Sequence, residues 1–133
     1  MDELSASQKQ ANSIMEFSEN KPIYKQIVEH FYSNILTEKW KEEERVPSVR
    51  EIAVLIEVNP NTAMRAFHEL QENDILYNKR GVGYFVSKNA LKKVKEIKRQ
   101  EFLDIKLPNL FKDMKQLDIS FEELRDLHSS LKK

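Results

Sequence analysis

From Pro22 onward the apolar residues Ile23, Tyr24, Ile27, Val28, Phe31, Ile35 and Leu36 recur at helical spacing, and Pro22 suits a first helical turn. An amphipathic helix is expected there. A polar stretch from Thr37 to Arg45 leads into Val46-Pro47, after which Ser48 and Glu51 form a capping box that satisfies orphan amide donors reciprocally. A second helix therefore starts at Ser48. Its apolar stripe is Ile52, Ala53 and Ile56, and it stops near Glu57 because Asn59-Pro60 follows at once. Asn59 is a good N-cap and Pro60 is tolerated at the first helical position, so a third helix begins immediately, with Ala63, Ala66, Phe67 and Leu70 as its buried face.

Beyond Asn73-Asp74 the period changes from helical to extended. Ile75–Tyr77 and Tyr84–Val86 are β-favouring runs joined by a loop, Asn78–Gly83, which predicts a hairpin with an exposed basic tip. Leu91, Val94, Ile97 and Phe102 then lie among lysines, and Leu107, Leu110, Phe111, Met114 and Leu117 continue the pattern past Pro108. A long helix, bent or broken at that proline, is expected. Ser120 and Glu123 open a last helix with Phe121, Leu124, Leu127 and Leu131 on one side. Residues 1–19 carry no sustained stripe and read as a mobile arm. The expected fold class is mainly α with a small β-hairpin: an arm over 1–19, a winged helix-turn-helix domain over 20–87 and a short helical tail over 88–133.

Composition narrows the function classes. The chain has 133 residues and only 2 Gly and 4 Pro, which suits one small helical domain with an appendage. Cys is 0, so disulfides, thiol nucleophiles and Cys-ligated zinc are excluded. No apolar run approaches the roughly 20 residues that span a bilayer, and the N-terminus lacks a basic start and an apolar core; the expectation is a cytoplasmic protein with no membrane partner. His30, His68 and His128 show no metal-ligand spacing. No carboxylate pair, Ser/His arrangement or phosphate-cradling loop stands at interpretable spacing, so neither an enzyme, a metal nor a cofactor is expected.

Three helices with a tight turn between the second and third, followed by a hairpin, place the third helix as a reader of double-stranded DNA. Stepping about 100° per residue from the buried face leaves Asn61, Arg65 and His68 outward, with Thr62 and Met64 on the flanks. Asn can pair with adenine and Arg with guanine, whereas Met64 offers apolar contact to a thymine methyl. Arg50, in the first turn of the second helix, suits a phosphate. The wing tip combines Lys79 and Arg80 with Gly81 and Gly83, which let the backbone turn and approach a sugar–phosphate strand. Charge opposes this assignment: 22 basic residues balance 22 acidic ones, and residues 21–87 carry 9 and 10. The cations Lys21, Lys25, Arg50, Arg65, Lys79 and Arg80 must then share one side, with Glu42–Glu44 on another. The alternative is a winged protein–protein interaction module without specific DNA binding. In the tail, Phe102, Leu107, Leu110, Phe111, Met114, Phe121, Leu124 and Leu127 are too few to enclose a core alone, so a homodimer is expected to cover them. Nothing in the sequence names a small-molecule effector.

The stretches Pro22-Ile-Tyr-Lys-Gln-Ile27, Val46-Pro-Ser-Val-Arg-Glu-Ile-Ala53, Val58-Asn-Pro-Asn-Thr62, Arg65-Ala66 and Lys79-Arg-Gly-Val-Gly-Tyr-Phe-Val86 resemble the N-terminal domain of GntR-family bacterial transcription regulators. The tail, with Phe102-Leu103, Leu107-Pro108 and Ile119-Ser-Phe-Glu-Glu-Leu124, is similar to the YtrA-like subfamily. The resemblance implies a dimeric repressor, often of transporter operons, that touches DNA through Arg50, Asn61-Thr62, Arg65 and Arg80-Gly81, and a two-fold dimer in turn predicts a palindromic operator. Three departures stand out. Glu57 replaces a usual Gly in the turn, so that position either avoids the left-handed region or carries a strain of about 1–2 kcal/mol. Glu42-Glu43-Glu44 stands where relatives turn with Pro-Gly, and Val82 replaces a frequent basic wing residue.

Overall fold

Pro22 stands immediately before α1 (Ile23–Leu36), the first helix of a computed structural model that describes residues 21–131. The arm expected over residues 1–19 lies outside the described residues. Of the expected α1 stripe, Ile27, Val28, Phe31 and Ile35 are buried in the core and Tyr24 and Leu36 are half-buried, whereas Ile23, in the first turn, is exposed. At α2 (Val49–Leu55) the capping box forms: the Ser48 hydroxyl accepts the Glu51 N–H at 3.0 Å, and the Glu51 carboxylate accepts the Ser48 N–H at 3.0 Å. Asn59 caps α3 (Pro60–Glu72) by accepting the Asn61 N–H at 2.8 Å. Ala63, Ala66, Phe67 and Leu70 are all fully buried, as the periodicity predicts.

The hairpin pairs β1 (Leu76–Lys79) with β2 (Gly83–Val86) in antiparallel register, Leu76 opposite Val86 and Lys79 opposite Gly83. Its turn is shorter than the sequence suggested, because the strands extend to Lys79 and Gly83. The polar connection before α2 is more ordered than expected. Val46 donates its N–H to Tyr84, Glu43 to Val86, and Val86 to Glu44, so residues 43–46 add a third rung beside β2. Trp40, from the same connection, meets Phe31 edge-on at 4.8 Å; Phe31 meets Phe67 at 5.1 Å, and Phe67 meets Tyr84 at 4.8 Å. That edge-to-face run joins the connection, α1, α3 and the wing.

Contacts divide the chain between Lys95 and Glu96. The first unit takes in the opening turns of α4 (Ala90–Glu101), whose Ala90 and Val94 are fully buried. The helical run does not break at Pro108. A π turn, Phe102–Lys106, leads directly into α5 (Leu107–Gln116), which carries the proline in its first turn. A proline removes one donor and crowds the carbonyl four residues back; the wider π turn re-registers those carbonyls just ahead of it. In the second unit Met114 is buried, and Phe111 meets Phe121 edge-on at 5.8 Å. There α6 (Phe121–Leu131) begins at Ser120, whose hydroxyl accepts the Glu123 N–H at 3.1 Å.

With so few glycines, acidic residues close the helices. Glu38, Glu57, Asp74 and Asp118 follow the C-caps of α1, α2, α3 and α5, all in the left-handed region with φ between 54° and 58°. At α2 and α3 the two hydrogen bonds of a Schellman motif form, Val58 to Ala53 with Glu57 to Val54, and Ile75 to Leu70 with Asp74 to Gln71. The turn between α2 and α3 thus keeps the backbone of a glycine turn with a Glu in it, at the higher-energy of the two expected outcomes.

Two predictions follow from this packing. Replacing Glu57 by Gly relieves the left-handed strain, less the extra freedom of glycine in the unfolded chain, and raises stability by about 0.5–1 kcal/mol in urea titrations. Half-buried His30 accepts a hydrogen bond from the Asn34 amide at 3.2 Å through Nε2, which leaves the neutral ring's proton on a buried Nδ1 that has no partner. Burial, and then Lys39, push the imidazole below its ordinary range. The folded state thus disfavours imidazolium. Stability is full above the unfolded value near 6.5 and declines as the pH falls through the folded one. Thermal melts from pH 7 to pH 5 are expected to fall less in His30→Gln than in the parent chain.

Candidate nucleic-acid interface

On α3 the face opposite Phe67 stands in solvent: Asn61, Met64, Arg65 and His68 are exposed and Thr62 is half-buried. Asn61, Arg65 and His68 therefore share one helix ridge, with Thr62 and Met64 on its two flanks. Arg65 is not loose, however. Its guanidinium lies over the ring of Tyr24, 4.0 Å from the centroid, and Tyr24 is half-buried near the start of α1. Beside it Lys25 donates to both carboxylate oxygens of Glu69, at 2.8 and 2.9 Å. The hydrogen bond to Glu69 holds the Lys25 ammonium above its usual range despite partial burial. Lys21 lies 4.0 Å from Glu29. Two of the six cations expected on a common side thus have acidic neighbours of their own.

Arg50 is the second residue of α2 and is exposed. The adjacent Glu51 carboxyl is held below the usual carboxylate range, chiefly by the Ser48 backbone N–H, then by the Ser48 hydroxyl, with Arg45 adding to it. Arg45 was not singled out in the sequence, yet it lies against the wing: a Cβ on Gly83 would stand 2.9 Å from its Nε. Gly83 has φ 145° and Gly81 φ 78°, so both glycines are used, Gly81 for the turn and Gly83 for the close approach of Arg45. Arg80 and Gly81 sit in the exposed turn. Lys79 instead folds back along the sheet, its ammonium 5.1 Å from the Phe85 ring. The acidic run lies nearer the wing than expected, since Glu43 accepts a hydrogen bond from the Tyr77 hydroxyl at 3.2 Å.

Helix, tight turn, exposed helix and glycine-turned wing are the parts of a winged helix-turn-helix, and residues 23–86 match the family described as bacterial regulatory proteins, gntR family. Two proteins of Bacillus subtilis (strain 168) are similar over most of the chain. The uncharacterized HTH-type transcriptional regulator YhcF is 33% identical over 109 residues, 82% of this chain and 88% of its own. The HTH-type transcriptional repressor YtrA is 33% identical over 115 residues, 84% of this chain and 82% of its own. The chain belongs to the GntR family. A solved GntR family regulator from Listeria monocytogenes has the same fold, with TM-score 0.70 and 32% identity over 86% of this chain and 98% of that one.

The GntR-family chain is a YtrA-like transcription regulator with a DNA-binding helix-turn-helix, and its family and relatives are regulators, not enzymes. Among the described residues no helix is long and apolar enough to cross a membrane. In the tail Phe102, Leu110, Phe111, Phe121 and Leu127 are exposed, while Leu107 and Leu124 are half-buried. Met114 differs from these: at 5% exposure it packs inside the tail and is not available to a second chain in this conformation. Leu103, Ile105, Leu117 and Leu131 were not among the predicted dimer residues, yet all are exposed. Tyr24 was read only as part of the α1 stripe. Its place at the end of that stripe, beside Lys25, was the one local signal.

Proposed function

We propose that this regulator is a cytoplasmic homodimer that represses transcription by occupying a palindromic operator, with a transporter operon as its target. The observation that carries the reading is the ridge of α3, where Asn61, Met64, Arg65 and His68 face solvent while Ala63, Ala66, Phe67 and Leu70 fill the core. On this reading Asn61, Arg65 and His68 face the base edges, with Thr62 on one flank and Met64 on the other against a thymine methyl. Arg50, Lys79, Arg80 and Gly81 hold the sugar–phosphate backbone. The repressor named YtrA supports the direction of regulation. The tail supports the assembly. Phe121 is 68% exposed and Leu131 81%, and fully burying such side chains contributes about 1.5–3 kcal/mol each. The proposed dimer face comprises Phe102, Leu107, Leu110, Phe111, Phe121, Leu124 and Leu127.

A two-fold dimer places two α3 helices in successive major grooves, so its half-sites lie about 10 bp apart or a multiple of that. Footprinting on duplexes selected by the purified protein is expected to show two protected half-sites. A single asymmetric half-site overturns the dimer, and retention of a protein with no affinity for any duplex at low salt overturns DNA binding in favour of a protein-interaction module.

In binding titrations on matched and scrambled duplexes at two salt concentrations, Arg65→Ala is expected to cost about 1–3 kcal/mol on the matched site and to relax base preference. Arg80→Ala should weaken both duplexes alike and flatten the salt slope by about one charge. Equal losses on both duplexes for Arg65→Ala would remove it from base reading.

A further inference from the structure

Arg65 and Glu69 stand four residues apart on α3, which makes them neighbours on one helix face. An arginine four residues from a free carboxylate on one helix can fold along the helix and pair with it, and a guanidinium so engaged is not presented to a base. In this structure Glu69 is engaged elsewhere. Both of its oxygens accept from Lys25 on α1, at 2.8 and 2.9 Å, and the Arg65 guanidinium instead lies 4.0 Å from the centroid of Tyr24, the residue preceding Lys25. Two consecutive residues of α1 thus deal with the two members of a competing pair on α3. The edge-on packing of Phe31 on Phe67, 5.1 Å between centroids, holds the two helices together and keeps both contacts in register.

We propose that Lys25 and Tyr24 are positioning residues for Arg65: Lys25 removes the Glu69 carboxylate from competition, and the Tyr24 ring carries the guanidinium on the outer face of α3. The inference rests on the reading of Arg65 as a base contact. Lys25 then governs specificity without touching DNA, and the Glu69 carboxylate is harmful to recognition only when Lys25 is absent. Tyr24 requires an aromatic face and no hydroxyl.

The test uses the full chain on two duplexes, one enriched by selection with the purified protein and one scrambled to the same composition. Lys25→Met is expected to lower the matched-to-scrambled affinity ratio about five- to tenfold, within the range that one base contact commands. Its salt slope should equal that of the parent, because a lost phosphate contact would flatten it. Adding Glu69→Gln to Lys25→Met should return the ratio to within about twofold of the parent, a rescue that a merely structural ion pair would not give. Tyr24→Phe is expected to keep the ratio and Tyr24→Leu to lower it. Thermal melts of each variant identify any that fails to fold, and the Tyr24 pair then decides in place of the Lys25 pair. If Arg65→Ala lowers the ratio while Lys25→Met and Tyr24→Leu leave it unchanged, the positioning role is overturned and base reading by Arg65 stands. A flattened slope, or no rescue by Glu69→Gln, makes Lys25 a DNA or folding contact and overturns the proposal as well. If Arg65→Ala itself leaves the ratio unchanged, the underlying reading falls.

Discussion

Phe67 is the constraint on which the first unit depends. It lies edge-on between Phe31 of α1 and Tyr84 of β2, and Phe31 in turn meets Trp40. A fully buried ring in that position is worth about 3–5 kcal/mol against its removal to Ala, so α3 cannot rotate about its own axis without losing a large part of the stability of a small domain. Once Phe67 points inward, the helical period puts Asn61, Arg65 and His68 outward. The small residues Ala63 and Ala66, both fully buried, provide the rest of the core face of α3. The exposed ridge is therefore a consequence of core packing and not a separate feature.

The electrostatics follow from the same docking of α1 on α3. A chain of balanced charge has little long-range field with which to gather a polyanion. Lys25 lies on Glu69 and Lys21 is close to Glu29, so the first unit sets two of its cations against its own acidic groups. Arg50, Arg80 and Arg45 remain exposed around α2 and the wing. Such a surface offers weak sequence-independent attraction, and recognition then leans on a few well-placed contacts. For a regulator in a genome full of competing sites, low background binding raises the specificity ratio as surely as a stronger match does.

What could be read in the sequence was what is local along it. The capping box at Ser48 and Glu51, the Asn59-Pro60 start and the buried stripe of α3 each involve residues within one or two turns, and each forms as expected. Contacts between distant stretches were not legible. Residues 43–46 pair with β2 although their run of glutamates has no strand alternation, and Trp40 looked like an isolated aromatic in a polar connection. The Tyr24–Arg65 contact joins two helices whose relative placement no periodicity encodes. Glu57 was legible only as a choice between two backbones; the Schellman bonds at the end of α2 decided it. At Pro108 the proline was correctly seen as a disturbance, but a π turn absorbs it and the helix does not end there.

The two units differ in how far each completes its own core. The first encloses Phe31, Phe67, Ile27, Leu70 and Val94 entirely, whereas in the second Met114 alone is buried among the large apolar side chains of α5 and α6. A helical segment with that little enclosed surface gains too little to offset its own ordering. On the proposed assembly the second chain supplies the missing surface, and folding of the tail, dimerisation and bivalent engagement of DNA become one coupled process. On that reading each half-site alone binds weakly, because a chain of balanced charge adds little sequence-independent attraction. Joined through the tail, the second α3 engages at the effective concentration set by the dimer, which multiplies affinity without adding any contact to either half-site. Operator occupancy then depends on protein concentration more steeply than a monomer would allow, so a weakly charged reader can still switch a promoter.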